Sequence, residues 1–141
     1  MIITPIPNGE DTCRQAVPEM YRLRVESGFD AAHKIEGYQG KCGQLHGHTY
    51  KVEAFFLAKE LDSIGVSVDL RLLKEKLSKI IEPFDHSFLN DFKELGNPTT
   101  ENISRYIFQA LKVNLPSGVA LERVRVWETP KTWCEYFENS K

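Results

Sequence analysis

The sequence predicts an α+β domain, and three observations predict it. Two long stretches in the first half alternate apolar and polar residues with period two. Two later stretches switch to the three-and-four spacing of amphipathic helices. Alternation then returns near the end, so the element order is strand, strand, helix, helix, strand, strand. A chain of 141 residues suits one domain with one core.

Residues 1–19 hold Pro5, Pro7, Gly9 and Pro18 and show no period. They read as an irregular N-terminal extension, and residues 20–141 as a single domain. Residues 21–33 put Tyr21, Leu23, Val25, Phe29 and Ala31 on one side and Arg22, Arg24, Glu26 and Asp30 on the other. That is a half-buried strand. Residues 46–58 repeat the pattern with Tyr50, Val52, Ala54, Phe56 and Ala58. The Gly-rich KIEGYQGKCGQL between them has the length of a functional loop rather than a tight turn.

Over 69–81, Leu70, Leu73, Leu77 and Ile80 form a helical stripe, with Asp69 as N-cap and Pro83 as the stop. FDHSFLNDFKELGNP then reads as a loop. Thr99 caps a second helix over 100–112, with Ile103, Ile107, Ala110 and Leu111 inward. Strands over 120–128 and 132–138 follow, joined by the bend TPK. On the first of these, Ala120, Val124 and Val126 share a side with Glu128. An inward carboxylate is costly unless it is paired or binds something, but Glu122 has the same parity, which weakens the argument.

Composition excludes several classes. Apolar residues make up 41% and charged residues 27%, as in an ordinary globular protein. A net charge of −2 argues against a general affinity for nucleic acid. No apolar run approaches the roughly 20 residues of a membrane span. The N-terminus lacks the basic start and apolar stretch of a secretory signal, so a cytoplasmic location is expected. Three irregularly spaced cysteines, Cys13, Cys42 and Cys134, describe neither a disulfide framework nor a zinc ribbon.

The chain has four histidines, and two of them sit one residue apart in CGQLHGHTY. His46 and His48 have the parity of Tyr50 and Val52, so both face the apolar side, about 6.6 Å apart along the strand. His33 has the core parity of the preceding strand. If the two strands pair, three imidazoles converge, a donor set that suits Zn²⁺ and leaves a fourth position open. The plainer alternative is three core histidines, each satisfied by a hydrogen bond. Cys42 is a small apolar plug, a fourth zinc ligand or a reactive thiolate; spacing does not separate these. Asp85 and His86 have the residue types of a proton-transfer pair, although neighbours in a loop need not touch.

FDAAHKI at 29–35, CGQLHGHTYKV at 42–52, DHSFLND at 85–91, NPTTEN at 97–102 and WETP at 127–130 resemble the 6-pyruvoyl-tetrahydropterin synthase / 6-carboxytetrahydropterin synthase family. The likeness runs in order from about residue 20 to the C-terminus. It implies the tunnelling fold: a four-stranded antiparallel sheet with two helices on one face. Three subunits then close a β-barrel, and two trimers stack into a hexamer with active sites at subunit interfaces.

The resemblance also implies roles. His33, His46 and His48 match the zinc ligands, and Cys42 the catalytic thiol. Asp85 and His86 match the rest of the catalytic triad. Glu128 matches a carboxylate that grips the pterin's guanidine-like edge, and Thr99 and Thr100 match residues lining the pterin pocket. The compact spacing from Cys42 to His48 resembles the bacterial 6-carboxy branch of queuosine precursor synthesis. The pyruvoyl branch is the alternative, and a noncatalytic zinc- and pterin-binding oligomer is a second. A third branch, which cleaves dihydroneopterin, carries glutamate where this chain has Cys42. Lys34 is a candidate contact for the substrate's triphosphate.

Overall fold

A computed structural model describes residue 17 and residues 19–139. The extension read over 1–19, and Cys13 within it, lie outside the described residues apart from Val17 and Glu19. Strands β1 (Tyr21–His33) and β2 (His46–Ala58) form one hairpin, in register from Tyr21 opposite Ala58 to His33 opposite His46. Helix α1 (Leu70–Ile81) follows, then a short strand β3 (Ser87–Phe88) and helix α2 (Thr100–Lys112). Strands β4 (Val119–Thr129) and β5 (Thr132–Tyr136) complete the sheet, whose order is β3-β1-β2-β4-β5.

The four expected strands are antiparallel neighbours. β3 is an addition, parallel to β1 at Ala31 and Ala32. Two residues carry no readable period, so the loop over 84–98 hid it. The helices begin where the sequence places them. The Asp69 carboxylate accepts from the Arg71 amide at 2.9 Å, and the Thr99 hydroxyl from the Asn102 amide at 3.1 Å.

The sheet's apolar face and both helices share one core, built on Phe29, Tyr50, Val52 and Phe56 with Leu73, Leu77, Ile103 and Ile107. Three inward assignments change. Leu70 is 47% exposed, since the buried row of α1 is Leu73, Leu77 and Ile81, spaced by four. Ala110 is half-buried, and Phe108 fills the core beside Leu111. Ala120 is exposed because a bulge shifts the β2–β4 register: Phe55 faces Arg123, but Phe56 faces Leu121. One extra residue reverses the side-chain parity below the bulge. Glu122 therefore points to the helix-free face, where Arg22 donates to it at 2.6 Å. Glu128, above the bulge, keeps the inward direction of Val124 and Val126. The objection that Glu122 raised in the sequence disappears with the bulge.

Candidate metal centre

The hairpin register opposes His33 directly to His46, and His48 to Ala31. All three rings lie on the core side. His33 is 1% exposed, while His46 and His48 are partly covered. His33 Nδ1 donates to the Pro98 carbonyl at 2.8 Å, and His46 Nδ1 to the Gln44 carbonyl at 2.6 Å. In a neutral ring those bonds place the proton on Nδ1 and leave Nε2 as an acceptor, which on His33 the Tyr50 hydroxyl approaches to 3.4 Å. Yet His33 Nε2 and His46 Nε2 stand 3.0 Å apart. Two lone pairs at that distance repel unless a cation lies between them.

Burial, above all, holds the His33 imidazole below its ordinary pKa, and the neighbouring His46 adds to this. Burial likewise lowers His48, against the pull of Glu128. Both rings are thereby kept in the neutral form that metals bind. His48 Nε2 is buried without a hydrogen bond, although Glu128 Oε1 lies 2.9 Å away. A tetrahedral zinc with bonds near 2.05 Å sets its nitrogen donors about 3.3 Å apart. The donor set, its tautomers and its spacing fit zinc. The alternative of three separately satisfied core histidines accounts less well for the group: the Tyr50 hydroxyl reaches His33 Nε2 only at 3.4 Å, and His48 Nε2 is left buried without a hydrogen bond.

Glu128 completes the group: its oxygen and the three imidazole nitrogens all lie within 4.8 Å of one another. Its other oxygen accepts from the Thr100 hydroxyl at the start of α2. Thr99, the cap of the same helix, is half-buried beside it. Two clefts meet at Glu128. One, of about 670 Å³, is also lined by His48, Lys51 and Trp127; the other, of about 160 Å³, by Thr100, Thr132 and Cys134.

Asp85 and His86 do touch, with His86 Nδ1 3.0 Å from an Asp85 oxygen. β1 holds the pair by its backbone. The Asp30 amide donates to Asp85 at 3.0 Å, and the His86 amide to the Asp30 carbonyl at 2.6 Å. The first of these bonds, then His86, lowers the Asp85 pKa. His86 sits at φ 56°, a conformation that costs a non-glycine residue energy and persists only where neighbours enforce it. The pair is exposed and forms its own group with Asp30, apart from the histidines. Asp30 lies three residues before His33, about 10 Å along the strand.

The family model for 6-pyruvoyl tetrahydropterin synthase matches residues 22–139. The chain belongs to that family. A Haemophilus influenzae relative, a 6-carboxy-5,6,7,8-tetrahydropterin synthase, is 34% identical over 143 residues, spanning 84% of this chain and 100% of its own. A Pyrococcus furiosus relative, a dihydroneopterin monophosphate aldolase, is 38% identical over 109 residues, 76% of this chain and 89% of its own. The Caenorhabditis elegans 6-pyruvoyl tetrahydropterin synthase structure superposes with a TM-score of 0.73 at 29% identity, covering 86% of this chain and 97% of that one. The fold is thus the family's tunnelling fold, and the expected class, a lyase of the tetrahydropterin synthase type, is that of its family.

Among the described residues Cys42 joins neither histidine group. It is exposed, in a single 3₁₀ turn over Lys41–Gly43. Its carbonyl accepts from the Ile35 amide at 2.9 Å, which ties the loop back to the end of β1. Of the three readings, an apolar plug does not fit an exposed side chain. No zinc-ligand contact is formed either, and a free thiol remains.

Sequence reasoning passed over two asparagines. Asn90 exchanges hydrogen bonds with the Lys34 backbone at 3.0 and 2.9 Å, and Asn97 with the Glu36 backbone at 2.9 and 3.0 Å. Each carboxamide imitates a strand neighbour and fixes the exit of β1 just beyond His33. Both lie inside the quoted motifs, but an asparagine in a loop carries no local sign of such a partner. Lys34 itself lies 3.7 Å from Glu36, so its charge is partly spent.

Proposed function

We propose that this chain is a zinc-dependent 6-carboxy-5,6,7,8-tetrahydropterin synthase of 7-deazaguanine (queuosine) precursor synthesis. It would convert 7,8-dihydroneopterin triphosphate and water to 6-carboxytetrahydropterin, acetaldehyde and triphosphate. The carrying observation is the convergence of the His33, His46 and His48 imidazoles with Glu128 on one point, together with a free thiol on the loop that connects their strands. Similarity to the Haemophilus influenzae enzyme supports the choice of branch.

His33, His46 and His48 would hold zinc, which when bound supplies a Lewis acid for the substrate's side-chain hydroxyls. Cys42, as thiolate, takes a proton from the side chain. His86, oriented by Asp85, carries protons at the opposite face. Glu128, Thr99 and Thr100 receive the pterin, the carboxylate pairing with its guanidine-like edge. The 670 Å³ cleft next to Glu128 is within the usual range for such a ligand.

Topology supports active sites shared between subunits. The separate dyad sits beside the short edge strand β3, while β5, on the other edge, borders the cleft that contains Glu128 and Thr100. Pairing these edges in a ring of three, stacked as a hexamer, removes both open edges and brings one chain's dyad toward its neighbour's site. No described helix is long and apolar enough to cross a membrane, and a cytoplasmic enzyme is the reading.

Mass spectrometry of the pterin formed by zinc-loaded protein, with an acetaldehyde trap, tests the branch. The 6-carboxy product with acetaldehyde supports it. A 6-pyruvoyl product without acetaldehyde moves the chain to the second reading, which the likeness to the Caenorhabditis elegans structure favours. Tight pterin binding without turnover would leave only a noncatalytic binder.

A further inference from the structure

We propose that Glu128 is the fourth metal donor of the substrate-free protein and that the arriving substrate displaces it. The metal site would therefore be closed at rest and open only when occupied. The inference rests on the reading above for the identity of the substrate, but not for the ligand itself.

Four observations carry it. Glu128 Oε1 is 2.9 Å from His48 Nε2 and 3.9 Å from His33 Nε2, and it shares one ligand-sized sphere with all three rings. The His48 nitrogen is nonetheless buried without a hydrogen bond. The Thr100 hydroxyl occupies Oε2, which fixes the carboxylate with Oε1 turned to the rings. Finally, the β4 bulge removes Glu122 from this face, so among the described residues Glu128 alone supplies a carboxylate to the group.

Three imidazoles and one carboxylate make a complete four-donor zinc site. The same two oxygens cannot also grip a guanidine-like edge. The carboxylate thus has two exclusive engagements, rings with Thr100 or pterin. Release from the first opens a metal position at the moment a substrate is there to use it. A closed resting site also keeps the metal from binding stray anions.

Zinc affinity, measured by chelator competition without any pterin, separates ligation from mere charge. Glu128→Gln keeps the shape and removes the charge. Glu128→Asp keeps the charge and withdraws the oxygens. Ligation predicts that both lose affinity, by about tenfold or more. Wild-type affinity in the Asp variant, or in both, would overturn the proposal.

The second measurement uses the wild-type protein loaded with Co²⁺. Adding 7,8-dihydroneopterin, which lacks the triphosphate, should change the visible spectrum as the carboxylate leaves. Saturable binding with an unchanged spectrum would overturn displacement. Failure of the pterin to bind at all would count against the substrate assignment, and the two variants would still decide the ligand.

Discussion

The two faces of β2 both crowd polar groups together, and they resolve the crowding in opposite ways. On the helix-free face, Glu53 is only 4% exposed, yet it is bound by Arg24 and by the Trp127 indole. Arg22 pairs with Glu122 at 2.6 Å, and Arg125 with Glu135 at 2.7 Å. Each of these carboxylates has its partner within the chain, although Arg123 Nε on the same face is left without one. On the other face, His33 and His46 bring ring nitrogens to 3.0 Å of each other, and His48 Nε2 is buried without a hydrogen bond. A satisfied cluster is structure; an unsatisfied one, costing about 1–3 kcal/mol per buried polar group, marks a place that expects a ligand.

The comparison can be broken from either side. The largest effect belongs to the thiol. Cys42→Ala should lower turnover by about 10³-fold or more while zinc content and melting temperature stay at wild-type values. Loss of zinc in that variant would make Cys42 a ligand. Gly43→Ala comes next. A Cβ there would stand 2.2 Å from the Tyr38 carbonyl oxygen, so the turn carrying Cys42 must move. Activity should fall by about 10²-fold with zinc retained.

The satisfied face should respond in stability and not in activity. Burial works to raise the Glu53 pKa, but hydrogen bonds from Arg24 and Trp127 outweigh it and leave the group below its ordinary 4.5. Its stabilisation is therefore present above that value and lost as pH falls through the lower folded one. Glu53→Gln should cost about 2 kcal/mol at neutral pH, since Arg24 keeps partial contact with solvent. Urea titrations should show that deficit shrinking below about pH 4.5. Smallest of all is Lys79→Ala. It removes an exposed pair with Glu75, 3.3 Å long, and should leave the melting temperature unchanged.

The sequence made the hairpin legible because both strands keep strict period two up to His33 and His46. That parity alone converged the three rings. The caps Asp69 and Thr99 were equally legible, since their chemistry is local. What stayed hidden was non-local or too short. β3 has two residues. The bulge that separates Glu122 from Glu128 is a property of the pairing, not of β4 alone. Asn90 and Asn97 act on a segment more than fifty residues away. The Asp85–His86 contact depends on the φ of 56° that β1 imposes at His86.

The most direct test of the central claim is metal content. The protein would be equilibrated with one equivalent of zinc, passed through a desalting column and analysed for metal, beside His48→Ala. One tightly held zinc per chain in the wild type, and little in the variant, is the expected result. Stoichiometric zinc retained by His48→Ala, or none held by the wild type, would contradict the three-histidine centre.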